Sequence, residues 1–246
     1  MTPINVLVVT GTGTGVGKTV VTAAVAALAG ARGEKVAVVK PAQTGVAAGE
    51  PGDLDEVARL AGTGDTHELA RFPDPLSPEA AARARGLPPL DLARAASEVR
   101  ALAATRDRVL VEGAGGLLVR YDSAGATLAD LAGALAAPVL VVTEAGLGTL
   151  NNTALTLEAK ALRGLALAGL VIGSWPDSPG LAERSNLTDL EALTGEPLSG
   201  VLAAGAGRLG RAAFCRAAAE GLGRSLGGEF DPAGFREKHT AAREAT

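Results

Sequence analysis

The sequence contains few aromatic residues and no excess of basic ones, and both shortages argue against whole classes of partner. Aromatic residues make up 2% of the 246 residues, so the stacked aromatic platforms that bind single-stranded nucleic acid are hard to build. The formal net charge is −4, whereas proteins that bind nucleic acids or anionic membranes usually carry a basic excess. We therefore expect no nucleic-acid partner and no membrane partner.

Cysteine and histidine are equally scarce. The only cysteine, Cys215, cannot form an internal disulfide, and the two histidines, His67 and His239, lack the spacing of zinc ligands. We interpret Cys215 as a core position of a helix and His67 as a residue of a polar loop. The first residues lack the pattern of a signal peptide and no apolar run is long enough to span a bilayer, so we expect a cytoplasmic protein.

Short valine-rich runs alternate with longer amphipathic segments along most of the chain. This alternation is typical of strands that are buried on both faces of a parallel sheet, with helices packed on either side. It predicts an α/β fold with one doubly wound, mostly parallel sheet in a single domain over residues 1–226. Residues 195–209 give no clear pattern, and the polar residues 227–246 predict a disordered tail. The predicted strands cover residues 4–9, 36–39, 109–111, 139–142 and 167–172, and the predicted helices cover residues 18–31, 53–61, 90–104, 127–136, 150–162, 180–193 and 211–221.

The first predicted strand leads directly into a glycine-rich turn, GTGTGVGKT at residues 11–19, which precedes a helix. A phosphate-binding loop requires this context, because its backbone N–H groups and the helix N-terminus then point at one anion. Thr12 stands where the strict G-x-x-x-x-G-K-[ST] pattern has its first glycine, which is displaced to Gly11. In such a loop Lys18 reaches the β- and γ-phosphates and the Thr19 hydroxyl binds Mg²⁺.

Charged residues follow two further predicted strands. Lys40 comes directly after the second strand, and Glu112 ends the third, just before Gly113, Ala114 and Gly115. Because the carboxyl ends of the strands border the ligand crevice of an open sheet, we expect Lys18 and Lys40 to converge there. Two cations in one crevice suit the stabilisation of phosphoryl oxygens or the binding of a carboxylate or carbamate. A carboxylate such as that of Glu112 suits a second contact to magnesium.

The position of Asp53 in the sequence does not by itself decide its role. It begins the predicted helix 53–61, where an aspartate commonly caps the helix N-terminus. Asp55, two residues further on, is a rival carboxylate in the same segment.

Four segments, taken in order, resemble the dethiobiotin synthetase family: residues 9–19, Lys40-Pro41 with Thr44-Gly45, residues 111–116, and residues 147–151. A Ser77-Pro78 pair in the right interval adds support, and the resemblance covers roughly residues 4–205. It implies a P-loop NTPase fold and an enzyme that uses ATP, CO₂ and Mg²⁺ to close a ureido ring on 7,8-diaminopelargonic acid. A carbamate and then a carbamic-phosphoric anhydride are the implied intermediates.

The resemblance also implies roles for individual residues and a homodimer with substrate sites at its interface. Lys18 and Lys40 would be the catalytic cations, and Thr19, Asp53 and Glu112 would hold Mg²⁺. The nucleotide would contact Thr14, Gly15, Val16, Gly17, Lys18, Thr19, Val20, Asp53, Glu112, Gly113, Ala114, Gly115, Gly173, Ser174, Leu202, Ala203 and Ala204. The substrate would contact Lys40, Thr44, Ser77 and Gly115, together with Leu147 and Asn151 at the helix N-terminus of the partner subunit.

The sequence departs from the family pattern at the nucleotide base. Members usually have Asn-Asp after the strand that ends near Ile172, and the asparagine recognises adenine, whereas this chain has Gly173-Ser174. The second proline of the family's Pro-Leu-x-Gly-x-Ile-Pro motif is replaced by Ala203. Because Gly173 offers no side chain for the base, we expect ATP to be replaceable by other nucleoside triphosphates.

Two other classes share the nucleotide-binding fold. Switch ATPases of the partition or septum-placement type carry a signature lysine early in the loop, where this chain has Gly13. Amidotransferases of the cobyrinate type need a glutaminase half with a Cys-His pair, and this chain offers only Cys215. Of these two classes, we keep the switch ATPase as the alternative function.

Overall fold

The computed structural model describes residues 5–240, and its core is a seven-stranded sheet in which every pairing is parallel. The strands are β1 (Val6–Gly11), β2 (Val36–Lys40), β3 (Gln43–Thr44), β4 (Thr66–Glu68), β5 (Arg71–Phe72), β6 (Arg108–Gly116), β7 (Val139–Thr143), β8 (Leu167–Trp175) and β9 (Gly200–Ala203). The strand order in the large sheet is β4-β2-β6-β1-β7-β8-β9, and β3 and β5 form a separate parallel pair.

Helices cover both faces of this sheet, as the doubly wound prediction requires. Neighbouring residues of β1 point into opposite cores. Val8 packs on the side of the helices at residues 92–103 and 128–135, and Val9 on the side of the helices at residues 18–31 and 211–221. No helix in residues 5–240 is long and apolar enough to cross a membrane. The helices are α1 (Lys18–Ala31), α2 (Asp53–Ala61), α3 (Pro78–Arg85), α4 (Leu92–Ala103), α5 (Leu128–Leu135), α6 (Thr149–Leu162), α7 (Leu181–Thr194), α8 (Arg211–Gly221) and α9 (Pro232–Thr240).

The predicted elements are present, and those at 18–31, 53–61 and 211–221 have the predicted bounds. The first residue of the predicted strand 4–9, Ile4, lies outside the described residues. His67 was wrongly assigned to a loop, because it lies in the short edge strand β4 and contacts Asp65 there. Cys215 lies in α8 as predicted, but it is half-buried while its neighbour Phe214 fills the core.

The prediction of a disordered tail is wrong for residues 227–240. Residues Pro232–Thr240 form α9, in which Phe235 and His239 lie four positions apart and pack edge-on against Trp175, at 5.2 and 5.1 Å between ring centroids. Arg236 pairs with Glu191 of α7. A few aromatic contacts therefore dock a segment whose average composition is polar. The remaining tail, 241–246, lies outside the described residues.

The sheet order places the site. Strand β6 pairs with both β1 and β2, so Glu112 emerges between the phosphate loop that follows β1 and Lys40 at the end of β2. Strands separated by many residues in sequence thus deliver their last side chains to one edge of the sheet.

Candidate active site

The loop between β1 and α1 wraps around the point where an anion would lie. Gly17, the residue before α1, has a φ of +97°, and a side chain there would be strained and would collide with the backbone of Gly173. The first turn of α1 carries no acidic residue, so the positive end of the helix dipole is unopposed. Lys18 folds back over the loop and donates to the carbonyl of Gly13 at 2.7 Å. This geometry suits the cradling of phosphates.

Lys40 lies at the centre of an ion cluster in which Lys40 and Glu112 are buried and Asp53 is partly exposed. Its Nζ contacts Asp53 Oδ2 at 2.5 Å and Glu112 Oε1 at 2.8 Å, and it donates to the carbonyl of Gly113 at 3.2 Å. Although burial alone would lower it, the two carboxylates raise the pKa of Lys40 above its usual value. Lys40 is therefore a permanent cation in the site.

Lys18 is in a different electrostatic position. Burial, and next the positive charge of Lys40, lower the pKa of Lys18 to about 8. One of the two lysines thus holds its proton firmly, and the other can lose its proton near neutral pH until an anion arrives.

Glu112 joins the two lysine-bearing segments. Its Oε1 accepts from the Thr19 hydroxyl at 2.9 Å as well as from Lys40, and its side chain is fully buried. Its Oε2 has no hydrogen-bond partner among residues 5–240. A buried carboxylate oxygen without a partner is energetically costly. This oxygen is therefore suited to contact a cation when the site is occupied.

Thr19, Asp53 and Glu112 present only oxygen donors, which is the set that Mg²⁺ prefers. Within the described chain, no three His, Cys, Asp or Glu side chains are grouped to hold a metal ion. A cation here would take the rest of its coordination from phosphates and water, as Mg²⁺ commonly does in nucleotide sites. The residues therefore fit a nucleotide-bound magnesium and not a closed metal site.

The structure separates Asp53 from Asp55. The Asp55 carboxylate accepts from the backbone N–H of Gly52 at 2.7 Å and so caps α2. Asp53 instead faces Lys40, and its backbone N–H donates to Gln43 Oε1 at 3.0 Å. Gln43 also lines the cavity that joins the phosphate loop to Lys40. Sequence reasoning missed this residue, because its position beside α2 depends on the tertiary fold.

A cavity of about 560 Å³ connects these groups. It continues from the phosphate loop past Lys40 to Pro75 and Leu76, which sequence reasoning missed. A larger groove, of about 900 Å³, opens at the amino ends of β8 and β9, away from the phosphate loop. The predicted residues that the smaller cavity does bring together are Thr14, Gly15, Gly17, Lys18, Thr19, Val20, Lys40, Thr44, Asp53, Ser77, Glu112, Ala114 and Gly115.

The glycine-rich segment after Glu112 is held by a residue that the sequence did not single out. Tyr121 is fully buried, and its Oη accepts from the backbone N–H of Ala114 at 3.1 Å. Burial raises the pKa of Tyr121, so its hydroxyl stays neutral. The sequence offers one signal that could have drawn attention to Tyr121, which is that it is the only tyrosine among the 246 residues.

The residues assigned to the base lie apart from this cavity. Gly173 packs against the phosphate loop, and a Cβ at this position would lie 2.0 Å from the carbonyl oxygen of Val16. Ser174, Ala203 and Ala204 are exposed beside it, whereas the side chain of Leu202 is buried in the core. An asparagine at 173 has no room in this backbone arrangement.

Leu147 and Asn151 also lie outside the cavity of their own chain. Both are exposed at the start of α6, and Leu147 has 92% of its surface accessible. One chain therefore does not bring them to Lys40 and Thr44.

The chain is similar to known proteins over nearly its whole length. The AAA domain family matches residues 5–204, so the chain belongs to that broad family. The ATP-dependent dethiobiotin synthetase of Parafrankia sp. (strain EAN1pec) is 64% identical over 236 residues, covering 96% of this chain and 99% of that protein. This chain belongs to the dethiobiotin synthetase family. The enzyme of the same name from Streptomyces coelicolor is 59% identical, covering 95% of this chain and 98% of its own length.

Solved structures show how far the dethiobiotin synthetase fold extends. The cell division ATPase MinD of Pyrococcus furiosus is 20% identical, with a TM-score of 0.51 and coverage of 98% of this chain and 100% of that one. The septum site-determining protein MinD of Pyrococcus horikoshii, solved with Mg-ADP, is 17% identical with the same TM-score, and coverage is 96% of this chain and 94% of that one. Likeness at this level shows the fold alone. The predicted fold and family are confirmed, and the switch-ATPase alternative gains no support.

Proposed function

We propose that this chain closes the ureido ring of dethiobiotin from 7,8-diaminopelargonic acid, CO₂ and ATP, releasing ADP and phosphate. The observation that carries the proposal is the convergence of Lys18 and Lys40 on one cavity beside the phosphate loop, with Glu112 and Asp53 between them. The reaction needs charge stabilisation and positioning and no protein nucleophile, which matches this set of side chains.

The chemistry proceeds in three balanced steps. One substrate amine adds to CO₂ and loses a proton, giving a carbamate. A carbamate oxygen then attacks the γ-phosphorus of ATP, and ADP leaves as the carbamic-phosphoric anhydride forms. Finally the second amine attacks the anhydride carbon, inorganic phosphate leaves with the C–O electron pair, and the amine proton passes to solvent as the ring closes.

The two lysines have distinct tasks in this scheme. Lys40, kept protonated by its carboxylates, stabilises the carbamate and the charge that develops on it. Lys18 stabilises the transferring phosphoryl group, and above about pH 8 it takes up a proton as the nucleotide binds. Thr44 and Ser77 line the far end of the cavity, where they contact the substrate.

Mg²⁺ would be held by Thr19, Asp53 and Glu112 together with nucleotide phosphates, where it neutralises phosphate charge. The partnerless Oε2 of Glu112 supports this assignment. The single cysteine gives the fold no dependence on an oxidising compartment, so we assign the reaction to the cytoplasm.

We further propose a homodimer in which α6 of one subunit completes the substrate site of the other. Leu155 and Leu162 are exposed along this helix, and Leu147 is exposed just before it. Among the described residues of α6, the fully buried side chains are Thr149 and Thr153. A helix that exposes leucines and buries threonines is poorly matched to water and suits a subunit interface. Leu147 and Asn151 would then reach the partner's cavity.

The decisive experiment measures phosphate release with diaminopelargonate, bicarbonate, Mg²⁺ and a nucleoside triphosphate. We expect release to depend on diaminopelargonate and to match dethiobiotin formed, with one phosphate for each ring. Nucleotide hydrolysis that ignores diaminopelargonate would instead favour a switch ATPase. Sedimentation of the same sample tests the dimer, and a monomer with full activity would contradict the shared site.

A further inference from the structure

Four threonines form a hydroxyl cluster between the phosphate loop and α6. The Oγ1 of Thr143, the last residue of β7, lies 2.7 Å from that of Thr149, 2.8 Å from that of Thr153 and 3.3 Å from that of Thr12. Thr143, Thr149 and Thr153 are each at most 1% exposed. Thr12 belongs to the phosphate loop, and Thr149 and Thr153 are one turn apart at the start of α6.

One arrangement of hydrogens satisfies every contact in this cluster. The Thr149 hydroxyl donates to the carbonyl of Glu144 at 2.7 Å, so towards Thr143 it can only accept. The single hydrogen of Thr143 therefore goes to Thr149. Its two lone pairs are left to accept from Thr153 and Thr12. The Thr143 hydroxyl thus makes all three bonds that a hydroxyl can make, and its partners come from two separate elements.

Little else polar fixes the first turn of α6 to the sheet. The helix begins after Gly148, which has a φ of +93° and no side chain that could cap the helix. The loop before it is held by Asn186 of α7, which donates to the carbonyls of Ala145 and Gly146 at 2.8 and 3.0 Å. Leu150 and Leu157 pack α6 against the core, and the threonine cluster adds the polar contacts that set where its first turn lies relative to the phosphate loop.

We propose that Thr143 is a positioning residue for the substrate, acting through α6. It holds Leu147 and Asn151 in the place from which they reach the partner's cavity, and it ties that place to the loop that binds the nucleotide. This inference rests on the proposed function, because it requires α6 to serve the substrate site of a second subunit.

The test compares Thr143→Val with two controls in the full-length protein. Valine keeps the shape and burial of the side chain and removes the hydroxyl. We expect the KM for diaminopelargonate to rise about tenfold, the effect of one net hydrogen bond, while the Kd for nucleotide changes less than about twofold. Thr143→Ser should restore the KM. The matched control is Thr22→Val, since Thr22 is equally buried but its hydroxyl has no partner among residues 5–240, and it should leave both constants unchanged.

A second variant keeps the test informative if Thr143→Val folds poorly. Thr153→Val removes one donor and leaves the bond between Thr143 and Thr149, so the KM should rise in the same direction by a smaller factor. Unchanged KM in both valine variants, or a failure of Thr143→Ser to restore it, would overturn the inference. A wild-type enzyme that does not consume diaminopelargonate would overturn the proposed function instead, and the two results are distinct.

Discussion

The two ends of the proposed nucleotide site are built in opposite ways. At the phosphate end, charged side chains are buried and joined by hydrogen bonds, as in the contacts from Glu112 to Thr19 and Lys40. At the base end, Gly173 offers backbone only and packs against the phosphate loop. Preorganised side-chain charges favour any triphosphate, whereas discrimination among bases needs side chains or backbone groups aimed at a base edge. If Gly173 faces the base as proposed, binding energy should come mainly from the phosphate end, and the choice among bases should be weak.

The largest expected effect comes from breaking the phosphate end at Lys40. We expect Lys40→Met to lower ring closure by about 100- to 1000-fold, because a preorganised cation is lost from the transition state. The change also leaves Glu112 buried without its cation, which costs about 3–5 kcal/mol of stability. Chemical denaturation of Lys40→Met beside the wild type shows that the assayed variant is still folded, so that lost rate is not lost structure. A folded Lys40→Met variant with more than half of the wild-type rate would refute the role of Lys40.

Substitutions of Asp53 and Asp55 form a matched test and control for the proposed metal site. Asp53→Asn should raise the Mg²⁺ concentration needed for half-maximal rate by at least about tenfold, since a cation-binding carboxylate is neutralised. Asp55→Asn should leave the Mg²⁺ dependence unchanged and cost only about 0.5 kcal/mol of stability, because asparagine still accepts from Gly52 and only the negative charge at the start of α2 is lost. Magnesium titrations of the rate with both variants decide the matter, and the reverse pattern would exchange their roles.

The lowered pKa of Lys18 predicts that nucleotide affinity depends on pH. Its pKa is about 8 without ligand, and bound phosphate favours the protonated form, so binding above pH 8 requires proton uptake. We expect affinity to be flat below about pH 8 and to fall by up to about tenfold per pH unit above it. Calorimetry with a non-hydrolysable nucleotide in buffers of different ionisation enthalpy measures both the slope and the proton uptake. Lys18→Arg, which keeps its charge, should bind with a flat profile, and an equally steep fall in this variant would assign the titration to another group.

The smallest expected effect is at the base end. CTP, GTP and UTP should each support turnover within about tenfold of ATP, a gap of ~1.4 kcal/mol. Gly173→Ala should lower kcat/KM for all four nucleotides alike, because its Cβ would press on the loop carbonyl of Val16 and not on a base. Steady-state kinetics with four nucleotides check both statements. A 100-fold preference for ATP in the wild-type enzyme would mean that Ser174 or a neighbouring loop reads adenine.

The sequence predicted the sheet, the phosphate loop and the acidic and basic strand ends, because each is encoded within a few adjacent residues. Valine runs signal buried strands, and the Gly-Lys-Thr turn signals an anion site. The contributions of Gln43, Tyr121 and Thr143 depend on which segments meet in space, and no local pattern reports that. The docking of α9 was missed for a related reason, since Phe235 gains its role only from the distant Trp175.

The position of β6 between β1 and β2 has a consequence for how the chain folds. About 70 residues separate the end of β2 at Lys40 from the start of β6 at Arg108. At a synthesis rate of roughly 5–20 residues per second, the first two strands wait several seconds on the ribosome before their shared neighbour exists. During that interval their valine-rich edges are unpaired, which is the condition under which nascent strands aggregate or bind chaperones. Insertion of β6 ends this exposure and, in the same event, brings Glu112 between the two lysines.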